Sequence, residues 1–251
     1  MRFHPTFAIF VAIALAMAPH HAGANDALGY QLPSQALVDL IDADDPPRVS
    51  LSPDRERMLL LHVPTLPSIA ELAEEELRLA GYRIKPATNG PSRGWEIAGL
   101  SVMPIEGGEA TPIAGLPEPA RIRNTSWSPD GDQVLFTNTV PSGIELWVAD
   151  LRSARAERLV GPRLNLAAGV RPQWAPDGKS ILVTLIPEGR GEAPQPARVP
   201  TGPTVQENLG RTTPARTYQD LLEDAHDEAL FDHYFTAQIA RIDLDGDVET
   251  M

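Results

Sequence analysis

Apolar runs of a few residues, separated by polar turns, recur along this chain, and three of them share one layout. Residues 49–61, 125–137 and 172–184 each read as a short apolar strand, a turn at Ser52-Pro53-Asp54, Ser128-Pro129-Asp130-Gly131 or Ala175-Pro176-Asp177-Gly178, and a second apolar strand. Pro presets φ for such a turn, Asp bonds its own backbone, and Gly accepts positive φ. A repeated hairpin of this kind predicts blades of a β-propeller.

The repeat spacing locates insertions. Pro53 and Pro129 lie 76 positions apart, and Pro129 and Pro176 lie 47 apart. A four-stranded blade takes about 40–50 residues, so the first interval predicts an insertion of about 30. Ser68-Ile69-Ala70-Glu71 has the capping-box pattern, and Ile69, Leu72, Ala73, Leu77 and Ala80 follow helical spacing before Gly81. This predicts a helix over 69–80 with Gly81 at its C′ position.

Residues 121–161 hold the cleanest blade, with strands predicted at 125–127, 133–137, 145–151 and 156–160. A third blade begins at Arg171 and breaks off near Ile186 for a Pro-rich excursion over 187–214. A second helical insertion is predicted over 217–235, on the stripe Tyr218, Leu221, Leu222, Ala225, Ala229 and Leu230. The blade resumes over 237–244 and turns at Asp245-Gly246. The expected fold is all-β: an incomplete propeller of about three four-stranded blades with short helical insertions. Propellers close with about 4–8 blades, so three are expected to leave blade faces and strand edges bare. Val134, Leu135, Leu146, Val148, Ile181 and Val183 typify the apolar residues expected on such faces.

The N-terminus changes the domain picture. Arg2, an apolar run over 7–17 and the small-residue sequence Ala22-Gly23-Ala24 read as a signal peptide over 1–24, cut before Asn25. The run is too short to span a bilayer, which takes about 20 residues. Cleavage after 24 of the 251 residues leaves 227, and losing Arg2 takes the formal charge from −13 to −14. That predicts a periplasmic or secreted product, with neither nucleic acid nor a membrane as partner. The absence of cysteine excludes disulfides, thiolate metal sites and a Cys nucleophile.

Several segments together carry a family resemblance. They are Tyr30-x-Leu32-Pro33, residues 49–54, 66–72 and 77–81, Asn89-Gly90-Pro91-Ser92-Arg93, and residues 204–210 and 215–221. In this order the chain from 30 to 251 resembles the start of prolyl oligopeptidase family serine peptidases, nearest their glutamyl-endopeptidase branch. The resemblance implies a propeller that restricts substrates to oligopeptides, gating an α/β-hydrolase domain with a Ser-Asp-His triad. This chain is expected to stop before that domain, to carry no triad residue and to be inactive alone. Its expected partners are a peptide substrate in the full-length context and a chain supplying the remaining blades and the hydrolase domain. The alternative is a stand-alone periplasmic propeller-like module that binds peptides or proteins.

No catalytic, cofactor or metal residue is assigned. Ser92 sits in Gly90-Pro91-Ser92-Arg93-Gly94, which matches a nucleophile elbow literally. An elbow needs a strand before the Ser and a helix after it, whereas loop residues 85–89 precede Ser92 and a strand-like 95–99 follows, so a loop is expected. His226 and His233 are seven apart rather than the four that helical zinc pairs favour, and read as part of a polar helix face. Residues 243–249 are acidic but lack the spacing of a calcium loop, and read as a hairpin turn. Trp127 and Trp174 read as core aromatics between blades.

Overall fold

A computed structural model describes residues 32–43, 45–197, 202, 210 and 220–251. The chain divides into two compact units, residues 1–43 and 44–251. Within the first, helix α1 (Gln35–Ile41) follows Ser34, whose side chain makes no cap bond, and Gln35 Nε2 donates to Asp39 Oδ1 at 2.7 Å.

The second unit is built on three four-stranded antiparallel sheets. The first joins β1 (Arg48–Leu51), β2 (Arg57–His62), β6 (Gly99–Pro104) and β7 (Thr111–Pro112). The second joins β8 (Ile122–Trp127), β9 (Gln133–Val140), β10 (Gly143–Asp150) and β11 (Arg155–Val160). The third joins β12 (Gln173–Trp174), β13 (Ser180–Leu185), β14 (Gln238–Asp243) and β15 (Val248–Thr250). These are the three predicted blades, with strands running consecutively across each. The predicted turns hold them: the Ser128 hydroxyl donates to Asp130 at 2.6 Å, and Gly131 and Gly178 take φ of 76° and 67°.

Two apolar layers lie between the blades. Leu59, Leu100, Val102 and Ile113 of the first meet Ile122, Val134 and Phe136 of the second. Leu135, Leu146 and Val148 of the second meet Ile181, Val183 and Ile242 of the third. Strand β9 therefore sends alternate side chains into opposite layers, as the two-residue period of a strand requires. The six residues named above as typical of bare faces are all buried, because each points into one of these layers. Exposed large apolar side chains on the strands of the end blades include Val49, Leu51, Leu182 and Ile239.

Both tryptophans tie one blade to the preceding one. Trp127 Nε1 donates to Ser50 Oγ at 2.9 Å, and Trp174 Nε1 donates to the Ser126 carbonyl at 3.1 Å. Ser50 and Ser126 occupy the same place in successive repeats, so a single hydrogen-bonding rule serves two seams.

The insertions leave the same edge of their sheets, between the second and third strands of the first and third blades. The first differs from its sequence reading. The helix expected over 69–80 is a single turn, α2 (Ile69–Leu72), and the chain then forms β3 (Leu77–Leu79), β4 (Tyr82–Lys85) and β5 (Gly90–Pro91). Ala80 and Gly81, with φ of 50° and 84°, join β3 to β4 as a two-residue turn of the primed type. The Gly81 expected to end a helix turns a hairpin instead. Leu77 fits a helical spacing with Ala73 and Ala80 and a strand alternation with Leu79, and β4 supplies the pairing that decides between them.

In the second insertion, helix α3 (Ala225–Phe235) is capped by Asp224, whose carboxylate accepts from the amides of His226 and Asp227. The expected start at 217 lies outside the described residues, and residues 220–224 are not helical. Leu79 and Ile84 of the first insertion pack with Leu230 and Tyr234 of α3 and with Ala167 from the link between the second and third blades. A buried polar node joins the same three parts. Asn89 Nδ2 donates to Asn165 Oδ1 at 2.6 Å, and the amide groups of Asn89 and Asn165 both donate to the Tyr234 carbonyl, at 3.1 and 3.0 Å.

Candidate functional site: a cleft beside the first insertion

Where the chain leaves β2 it runs through Val63-Pro64-Thr65-Leu66-Pro67 into α2, and this stretch walls a cleft of about 650 Å³. Trp95 and Ala98 form a second wall, and Pro119 and Ala120 form a third, just before β8. Trp95 is 66% exposed and has the Arg48 guanidinium over its ring at 4.5 Å. Stacking of that kind orients the ring.

The floor is ionic. Glu96 takes Arg121 Nε at 2.8 Å, Arg121 Nη2 at 3.1 Å and Arg123 Nη2 at 3.1 Å. This paired geometry raises the Arg121 pKa, chiefly through Glu96. Glu74 meets Lys85 Nζ at 2.6 Å and Arg121 Nη1 at 3.3 Å. Burial pushes the Glu74 carboxyl up, but Lys85 and Arg121 outweigh it and hold the group below its ordinary value. The Lys85 side chain is only 6% exposed, so a buried ammonium is matched by its carboxylate.

Glu71 differs. The α2 turn places it at the edge of the cleft, its backbone amide donating to Ser68 Oγ at 3.1 Å. That is one half of the predicted capping box. Its carboxylate faces Arg123 Nη2 at 3.8 Å, beyond hydrogen-bond reach, although the side chain is only 17% exposed.

Ser92 lies beyond this floor, after β5, and is buried; its hydroxyl donates to Glu76 Oε2 at 2.6 Å. That bond, with Arg93, Arg78 and Arg83 nearby, holds the Glu76 carboxyl below its ordinary value against burial. The surroundings are two-residue β5 and a loop, not strand, turn and helix. His226 is in the first turn of α3 and His233 in its last, against Tyr234 edge-on at 4.8 Å. Burial and the Arg190 charge both lower the His233 pKa. Residues 243–249 form the β14–β15 turn, where Asp243 Oδ1 accepts from the amides of Asp245 and Asp247 at 3.0 and 2.9 Å. Among the described residues no three His or carboxylate groups converge as a metal requires.

Two features escaped the sequence reading. His62 Nε2 and Ser101 Oγ lie 3.0 Å apart, but Ser101 is buried within β6, and among the described residues no carboxylate bonds His62. The cleft itself combines residues from 63 to 121, and nothing local in the chain marks Trp95, Glu96 and Arg121 as neighbours.

No family model matches the chain. It is 36% identical over 234 residues to a probable chloroplastic glutamyl endopeptidase of Oryza sativa subsp. japonica, and 35% identical over 233 residues to one of Arabidopsis thaliana, each match covering 88% of the chain. The chain spans about a quarter of the length of these curated relatives. Among solved structures, an acylaminoacyl peptidase of Pyrococcus horikoshii is similar over 82% of the chain and 24% of its own, at 15% identity and a TM-score of 0.41. By sequence, then, the chain is similar to one quarter of probable glutamyl endopeptidases, and it folds as three blades of an incomplete β-propeller.

Proposed function

We propose that this chain is the propeller part of an exported serine peptidase, and that it restricts access of oligopeptides to an α/β-hydrolase domain supplied outside it. The observation that carries this reading is 36% identity, maintained over 88% of the chain, to a quarter of a probable glutamyl endopeptidase. Two insertions bound into one cap along a single edge of the blades suit a size filter, since a rigid cap narrows the approach to that edge.

The chain alone contributes no nucleophile on this reading. A serine-hydrolase fluorophosphonate probe leaves the full chain unlabelled, and labelling that vanishes in Ser92→Ala would overturn the assignment. Joined to the catalytic part of its peptidase, it admits short Glu-containing peptides and excludes folded proteins; equal cleavage of both would remove the filter role. For the exported form, N-terminal sequencing of secreted material begins at Asn25, and a mature product starting at Met1 would contradict export.

A second reading is a stand-alone periplasmic peptide-binding module, for which the mostly apolar cleft beside α2 offers a site of suitable size. A sharp, cooperative unfolding transition from a clean monomer supports that reading over the first.

A further inference from the structure

The cleft beside α2 has a volume in the range of small-ligand sites, about 300–1,000 Å³. Its lining is mostly apolar, yet it includes three carboxylates, Glu71, Glu74 and Glu96, against one guanidinium, Arg121. Glu96 and Glu74 are fully engaged by cations at 2.6–3.3 Å. Glu71 is not: its ion pair is at 3.8 Å, no donor among the described residues bonds its carboxylate, and the side chain is largely shielded from water. A shielded carboxylate with unused acceptor positions, beside apolar walls, complements a cation attached directly to an apolar group.

We infer that this cleft binds the free amino terminus of a peptide whose first residue is apolar. The α-ammonium bonds Glu71, and the first side chain lies against Leu66, Trp95 and Pro119. An amino-terminal residue carries charge and apolar side chain on one carbon, so a single residue meets both Glu71 and the apolar lining of the same cleft. An internal lysine would have to bring its polar backbone against the same apolar walls. Trp95 provides a rigid, exposed platform, with its ring already oriented by Arg48. The inference deepens the peptide-handling reading above and rests on it for the ligand being a peptide. It adds a subsite on the propeller itself.

The test uses the full chain and two probes, the tetrapeptide amide Leu-Gly-Gly-Gly and its N-acetylated counterpart, in calorimetric titrations at neutral pH. The free-amine peptide binds, and acetylation weakens it about ten- to a hundred-fold, the range for loss of a charged hydrogen bond. Glu71→Gln produces a similar loss for the free-amine peptide and little change for the acetylated one. Trp95→Ala, at an exposed position that the fold tolerates, weakens both. A melting temperature unchanged from wild type confirms that each variant is folded. Equal affinity for the two peptides, or affinity untouched by Glu71→Gln and Trp95→Ala, overturns the subsite while leaving the peptidase reading intact. No binding of either peptide also overturns it. Failure of the peptidase reading shows separately, in the size discrimination of the joined enzyme.

Discussion

The second and third blades are written in nearly the same residues and live in different surroundings. Strand β9 runs Val134-Leu135-Phe136-Thr137-Asn138-Thr139 with every side chain buried. Strand β13 runs Ile181-Leu182-Val183, and only its first and third residues are buried, while Leu182 is 39% exposed and Ile239 on the adjoining strand is 56% exposed. The repeat therefore encodes a strand able to be covered on both faces, and the number of neighbours decides how many faces are covered. Apolar side chains on the outer face of the third blade have the composition of an inter-blade layer without its other half.

The strongest test of this comparison contrasts Phe136→Ala with Leu182→Ala. Phe136 is fully buried and stacks on Trp147 at a centroid distance of 6.1 Å. Its truncation costs about 3–5 kcal/mol in chemical denaturation, as for other buried aromatics. Leu182→Ala costs much less, because solvent already reaches the site. Equal losses would mean that the outer face is covered in solution, by a second copy or another segment.

The seams are expected to respond next. Trp127→Phe and Trp174→Phe each keep an aromatic ring and remove an indole donor, costing about 0.5–1.5 kcal/mol per hydrogen bond. Loss at one position alone would show that the shared rule is formal and not energetic.

Acid separates the seams further. Across the first seam, Arg57 Nη2 donates to Asp132 Oδ1 at 2.7 Å, and chiefly for this reason the Asp132 carboxyl is held below its ordinary value. A carboxylate with a lowered folded pKa adds stability above its unfolded value of about 3.9, and that stability is lost as pH falls through the folded value. Asp132→Asn is thus less stable than wild type at pH 7, and the two converge in strong acid. Among the described residues no ion pair crosses the second seam, so Trp174→Phe shifts stability by the same amount at both pH values. The smallest effect on folding belongs to Ile239→Lys, which leaves the melting temperature nearly unchanged and lowers self-association in sedimentation; unchanged association would place the contact elsewhere.

Blades, turns and seam tryptophans were legible because their signals are local or periodic. Pro, Asp and Gly force a turn wherever they stand, and alternation marks a strand. The first insertion was read only in part. Ser68 and Glu71 did open a helix, but Leu77 pairs with Ala80 in a helical period and with Leu79 in a strand period, and the pairing with Tyr82 and Ile84 that settles the matter lies in the tertiary structure. Of the six apolar residues named as typical of bare faces, four belong to the middle blade and Ile181 and Val183 point inward from the third, since a sequence repeat states neither which copy is interior nor which face meets a neighbour. The cleft was invisible for a related reason: Glu71, Trp95 and Arg121 belong to three connections that meet only after the first two blades have packed.

The node of Asn89, Asn165 and the Tyr234 carbonyl also has a consequence in time. Asn89 leaves the ribosome 145 residues before its partner Tyr234, an interval of roughly 7–30 s at about 5–20 residues per second. For that interval the first hairpin of the insertion has a paired backbone but no α3 against it, and its asparagine has only the Asn165 side chain, which follows 76 residues later, as an acceptor. The first two blades are able to assemble in order as they emerge, whereas the cap, like the third blade that needs β14 and β15, waits for nearly the whole chain. Its closure is a late, long-range event, and contacts of such sequence separation form slowly. A stall in translation before residue 234 would therefore present a cell with two finished blades, half of a third and an unfinished cap.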